Sequence, residues 1–162
     1  ETVDYIWNVN LKGPLLVYQT FLPLIRSLGG RIVNVGSVAG LAARPFRGPY
    51  TISKFALEGM SDTQRQELLF ENISVSMVNP GYIRTSISLK TLDNAENSKE
   101  SVMPAFKKEM LNAFAISYAK GFKNAGSTEE TTADVRHALL SKKPRTRYYP
   151  GTLGLGILQA WM

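Results

Sequence analysis

The sequence predicts an α/β fold built on a parallel sheet, and three stretches carry that expectation. Arg31-Ile-Val-Asn-Val35 and Ile73-Ser-Val-Ser-Met-Val78 are short apolar runs rich in β-branched residues, the composition of strands buried in a sheet. Long segments of helical character precede and separate them. Strands that alternate with helices pair in parallel, because a parallel neighbour needs a crossover long enough to hold a helix. Arg147-Tyr-Tyr149 supplies a short third strand, the last of the sheet.

The elements follow in order. A helix is predicted from about Thr2 to Leu28, with Leu11, Leu15, Leu16, Phe21 and Leu24 as its buried stripe. Gly13-Pro14 inside it predicts a kink or bulge near Asn10, since proline removes an N–H and crowds the preceding turn. The first strand follows Gly29-Gly30, and a loop rich in Gly, Ala, Arg and Pro (Ala39 to Pro49) leads into a helix from Tyr50 to about Phe70. On the second strand Ile73, Val75 and Met77 share one face. Leu92-Asp-Asn-Ala-Glu-Asn-Ser98 reads as a mobile loop, and a helix from about Met103 to Lys120 takes Pro104 into its first turn. Ser127-Thr-Glu-Glu130 is a capping box that starts a helix through Leu140. There is no internal repeat and no low-complexity segment.

Composition narrows the function. The 162 residues, 44% apolar, suffice for one domain with a sizeable core. Without cysteine the chain has no disulfide, thiolate metal site or cysteine nucleophile, which fits a reducing compartment. The single histidine, His137, argues against a zinc site or a Ser-His-Asp triad and reads as a helix-face residue. No run approaches the roughly 18 apolar residues of a spanning helix, and the first residues lack the basic start and apolar stretch of a signal peptide. Nineteen basic and 13 acidic residues give a net charge of +6, but the basic residues are spread out. The densest group, Lys142-Lys-Pro-Arg-Thr-Arg147, reads as a solvated connection, with contact to acidic lipid headgroups or a polyanion as its functional alternative. No nucleic-acid partner is expected.

The chemistry centres on Tyr50 and Lys54. Four residues apart on a helix, they share one face. A cation there favours the phenolate of a group that otherwise titrates near 10, which suits a tyrosine trading protons with an alcohol or carbonyl oxygen. Ser37 ends the run Gly30-Arg-Ile-Val-Asn-Val-Gly-Ser37, so its hydroxyl would emerge at the carboxyl end of a strand, where open α/β sheets bind ligands. It is no nucleophile elbow, because Val35 and Ala39 occupy the two glycine positions of that motif. Asn10 lies upstream, and Asn79-Pro-Gly-Tyr-Ile-Arg-Thr85 follows the second strand directly.

Asn10, Ser37, Tyr50 with Lys54, and Pro80-Gly81 followed by Thr85 stand in an order and spacing that resembles the short-chain dehydrogenases/reductases. The resemblance is close over residues 1–90 and looser from 90 to 150. It implies a Rossmann-like doubly wound parallel sheet, partial here: no glycine-rich dinucleotide turn and no Asn-Asn-Ala-Gly turn occur, so the N-terminal βαβ units are absent. Residues 1–162 would be the carboxyl-terminal part of a single dinucleotide-binding domain, with 86–126 as the substrate-binding region.

The same resemblance implies an oxidoreductase using NAD or NADP to interconvert an alcohol and its carbonyl compound. Tyr50 would be the acid and base and also contact the nicotinamide cofactor, and Lys54 would lower its pKa and contact the nicotinamide ribose. Ser37 would hold the substrate oxygen, and Asn10 would hold a water against Lys54 through its backbone. Pro80, Gly81, Ile83 and Thr85 would take the nicotinamide and its carboxamide, with Tyr82 on the substrate side. Wording around Ser53-Lys-Phe-Ala-Leu-Glu-Gly-Met-Ser-Asp62 resembles the branch acting on steroids, retinoids and other lipid-like alcohols. Phe46, Tyr82, Phe106, Phe114, Tyr118 and Phe122 either line an apolar pocket or pack in the core. Subunits are expected to pair through the Asn10 and Tyr50 helices as a homodimer or homotetramer. Membrane association would depend on segments outside this chain, so cytoplasm, organelle and endoplasmic-reticulum membrane all stay open. So does the choice between NAD and NADP, whose deciding residue lies upstream. The competing reading is a catalytically silent scaffold that keeps the fold.

Overall fold

The computed structural model describes residues 3–87, 90 and 105–151, without the side chains of 105 and 106. The predicted loop at 92–98, Met103, Pro104 and the Phe106 side chain lie outside the described residues.

Three strands, β1 (Arg31–Val35), β2 (Ser74–Val78) and β3 (Arg147–Tyr148), form a parallel sheet in the order β1-β2-β3. Arg31 pairs with Ser74 through to Val35 with Val78, and Met77 and Val78 pair with Arg147 and Tyr148. β2 is central and buried on both faces, as parallel strands covered by helices are. On one face Ile32, Ile73 and Val75 pack with Leu68, and Tyr18, Leu22 and Ile25 cover them. On the other, Val78 and Tyr148 pack against Ala138, with Val33 and Val135 beside them. Each fully buried aliphatic side chain contributes roughly 1.5–3 kcal/mol. Two faces covered by helices make the sheet doubly wound.

The first helical segment is α1 (Val3–Trp7), a π-helical turn at Asn8–Lys12, and α2 (Gly13–Leu28), which Gly29 ends at φ 67°. The widened turn is the irregularity that Gly13-Pro14 predicts, and it carries Asn10. The predicted stripe needs correction. Leu11 and Leu15 are half-buried, but Leu16, Phe21 and Leu24 are 51%, 51% and 54% exposed. The inward line is Leu11, Leu15, Tyr18, Leu22 and Ile25, which keeps a strict alternation of four and three residues. α2 therefore carries a second, outward apolar line.

α3 (Gly48–Glu67) starts on Gly48-Pro49 and lies on the same face as α2. Its inner side is polar to an unusual degree. Ser53, Ser61 and Gln64 are buried, and Asn34 of β1 donates to Ser61 Oγ at 2.8 Å and to Gln64 Oε1 at 2.9 Å. α4 (Ala105–Lys123) and α5 (Thr128–Leu140) lead from β2 to β3. The capping box forms as predicted, with Glu130 accepting from the Ser127 amide at 3.2 Å.

Candidate active site

The carboxyl ends of all three strands open at one edge, and the loops that leave them knit together there. Gly36 N–H donates to the Val78 carbonyl at 2.8 Å and Val38 N–H to Pro80 at 3.1 Å; Asn79 N–H reaches Tyr148 at 2.8 Å and Gly81 N–H reaches Pro150 at 2.9 Å. Gly36 is required at its place, because a β-carbon there would stand 2.3 Å from Asn79 Oδ1.

These loops and the first turn of α3 enclose a cleft of about 850 Å³. Ser37 and Tyr50 line it, together with Pro80, Gly81, Tyr82, Ile83 and Thr85. Ser37 has extended backbone and its Oγ accepts the Ala39 N–H at 3.2 Å, leaving the hydroxyl proton free to donate. Of the predicted aromatics, Phe46, Tyr82, Phe114 and Tyr118 line the cleft. They form a ladder, with ring centroids 6.1 Å apart for Phe46–Phe114, 5.8 Å for Phe114–Tyr118 and 5.1 Å for Tyr82–Tyr118. Phe122, half-buried, does not line the cleft.

Lys54 and Asn10 lie behind Tyr50, lining a second cleft of about 650 Å³ with Asn34 and Val35. The Lys54 ammonium stands 5.8 Å from the centre of the Tyr50 ring and donates to the Val35 carbonyl at 3.2 Å. Burial lowers its pKa below the ordinary lysine value. Asn10 Nδ2 donates to Ser53 Oγ at 3.0 Å, and Ser53 donates in turn to the Tyr50 carbonyl at 2.7 Å. The asparagine side chain is thus tied to the backbone that sets the Tyr50 ring.

The family model described as short chain dehydrogenase matches residues 1–96. The chain belongs to this family. Among curated relatives it is 33% identical over 159 residues to the mitochondrial D-beta-hydroxybutyrate dehydrogenase of Mus musculus, covering 93% of this chain and 46% of that protein. It is 36% identical over 157 residues to retinol dehydrogenase 5 of Homo sapiens, covering 90% and 48%. The chain therefore spans about half the length of the curated relatives it matches. A short chain dehydrogenase from Burkholderia cenocepacia, solved in complex with NADP, superposes with a TM-score of 0.71 at 25% identity, covering 99% of this chain and 56% of that one.

Four residues in or near the cleft escape sequence reasoning. Glu58, one turn beyond Lys54, is buried, accepts from the Asn79 amide at Oε1, and holds Arg147 of β3 at 2.9 Å and 3.1 Å through Oε2. The network joins α3 to Asn79, which follows β2, and to Arg147, which begins β3. Arg44 and Arg47 line the cleft itself. Between them Phe46 sits at φ 60°, a left-handed conformation costing roughly 1–3 kcal/mol in a residue with a β-carbon. Only the Arg and Pro content of the loop hinted at a special conformation.

Proposed function

We propose that the whole protein carrying this chain is a nicotinamide-dependent oxidoreductase interconverting an alcohol and its carbonyl compound. One observation carries the reading: Ser37 and Tyr50 share a cleft at the carboxyl edge of the sheet, with the Lys54 cation 5.8 Å from the tyrosine ring. In reduction Ser37 donates a hydrogen bond to the carbonyl oxygen as negative charge develops there, and Tyr50 hands that oxygen its proton. In oxidation Tyr50 takes the alcohol's proton, and the nearby ammonium stabilises the charge left behind. Asn10 and Lys54 line the same rear cleft, which supports a water held between the Asn10 backbone and Lys54 as the route to solvent.

NAD or NADP, when bound, supplies or accepts the hydride. The residues present fit that group. Lys54 has three donors and spends one on Val35, leaving two for ribose hydroxyls. Pro80, Gly81, Ile83 and Thr85 line the cleft and would take the nicotinamide and its carboxamide, and Tyr82, which lines the same cleft, would meet the substrate. The aromatic ladder supports a substrate with an apolar body, in keeping with a relative named for retinol.

Ser37→Ala in the whole protein should lower kcat by roughly 10²–10³-fold, the cost of removing one donor to a developing oxyanion, while dinucleotide affinity stays as it was. Turnover equal to wild type would show that another group holds the substrate oxygen.

A further inference from the structure

Tyr50 has two cations over its ring. The Lys54 ammonium stands 5.8 Å from the ring centre and the Arg47 guanidinium 5.4 Å. The two differ in chemistry. Lys54 donates to the Val35 carbonyl, and burial lowers its pKa below the ordinary lysine value, so its charge weakens as the pH rises. A guanidinium keeps its charge throughout that range. Arg47 also lies over the ring of Tyr118, 5.1 Å from its centre. Tyr118 is buried, and its ring meets Tyr82 edge-on and Phe114 at a tilt. It belongs to α4, whereas Tyr50 lies in the first turn of α3. One side chain therefore joins the proposed acid and base to the aromatic wall of the cleft.

We infer that Arg47 is a positioning residue for the proton step, tying the Tyr50 ring to Tyr118 and setting a permanent positive charge beside the tyrosinate. The inference rests on the dehydrogenase reading above and deepens it. A cation over an aromatic face is attracted by the ring's quadrupole. The attraction grows once Tyr50 has given up its proton, because a full charge then faces a full charge. The same contact restrains the ring whose hydroxyl must meet the oxygen that Ser37 holds. Arg47 itself makes and breaks no bond, and the proton still passes between Tyr50 and the substrate oxygen. Among the described residues, the other charged or titratable groups on the cleft wall are Arg44, Tyr82 and Lys90, and Arg44 donates to Tyr82 Oη at 2.9 Å. α1 and the π-helical turn, which pack against α3, bring the exposed Asp4, Tyr5 and Lys12. β2 and the turn at Val38–Gly40 bring none.

The test follows the ultraviolet difference absorbance of tyrosinate in the whole protein across pH, assigning to Tyr50 the part that Tyr50→Phe removes. It needs no substrate. In Arg47→Met the Tyr50 titration should move to higher pH by about one unit, the lower end of the effect of a nearby opposite charge, because the phenolate loses a cation. Arg47→Lys keeps a charge there and should move it by less. Tyr118→Leu should move it in the same direction, and adding it to Arg47→Met should bring little further change, as expected of two residues that act together. The rising limb of kcat/KM against pH, for oxidation of cyclohexanol with NAD or NADP, should shift by the same interval. At a fixed pH below that limb the rate should fall about tenfold. A Tyr50 titration in Arg47→Met that matches wild type would overturn the inference. So would equal shifts in Arg47→Met and Arg47→Lys, which would leave Arg47 a part in packing alone. Circular dichroism checks each fold; should Arg47→Met unfold, an unmoved Tyr50 titration in Tyr118→Leu overturns the inference in its place. An unshifted titration with turnover intact sinks the inference alone, whereas no nicotinamide-linked turnover of any alcohol sinks the dehydrogenase reading with it.

Discussion

Tyr50→Phe in the whole protein is expected to lower kcat by roughly 10²–10⁴-fold, the usual contribution of a positioned general acid or base. Dinucleotide affinity should stay close to wild type, because the substitution removes one oxygen from the cleft and leaves the ring in place. Arg47 and Lys54 lie 5.4 Å and 5.8 Å from the centre of that ring, and both contacts persist with phenylalanine. A fall in kcat and kcat/KM by the same factor would mark an interaction made only in the transition state. Steady-state rates near wild type would show that the proton travels through a different group.

Arg147→Leu should destabilise the whole protein by about 3–5 kcal/mol, the typical cost of stranding one partner of a buried ion pair. Glu58 is 6% exposed, and its Oε2 depends on two N–H groups of Arg147. Without them only the Asn79 amide remains, and a buried carboxylate is left short of hydrogen-bond donors. Arg26→Leu is the control. It breaks the Arg26–Glu71 pair on the surface, where such pairs contribute at most about 1 kcal/mol. Denaturant midpoints separate the two. Equal small shifts would mean that the Glu58 network does not anchor α3 to the sheet.

The strands were legible because their signal is local. Val, Ile and Met in short runs mark buried strands, β1 lies where its run places it, and β3 takes the first two residues of the predicted Arg147-Tyr-Tyr149. The capping box is a four-residue pattern and was equally readable. The face of α2 was not. Leucine, valine and phenylalanine occupy two lines on that helix, and hydrophobicity alone favours Leu16, Phe21 and Leu24 over the line through Tyr18 that meets the sheet. Strict helical spacing would have chosen correctly. The Glu58–Arg147 pair joins residues 89 apart in the chain, and no local pattern announces a contact that only the β2–β3 pairing creates. Arg44 and Arg47 looked like loop residues, because no short pattern announces that Arg44 reaches Tyr82 or that Arg47 lies over the rings of Tyr50 and Tyr118.

The central claim is that Ser37 and Tyr50 act together on one oxygen atom with Lys54 behind the tyrosine. The most direct measurement is a crystal structure of the whole protein with bound dinucleotide and a substrate-like ketone or alcohol. The ligand oxygen should lie about 3 Å from both Ser37 Oγ and Tyr50 Oη, within hydrogen-bond reach of each, with Lys54 on the far side of the ring. A ligand oxygen that touches neither hydroxyl, or two hydroxyls that face separate surfaces once the dinucleotide is bound, would contradict it.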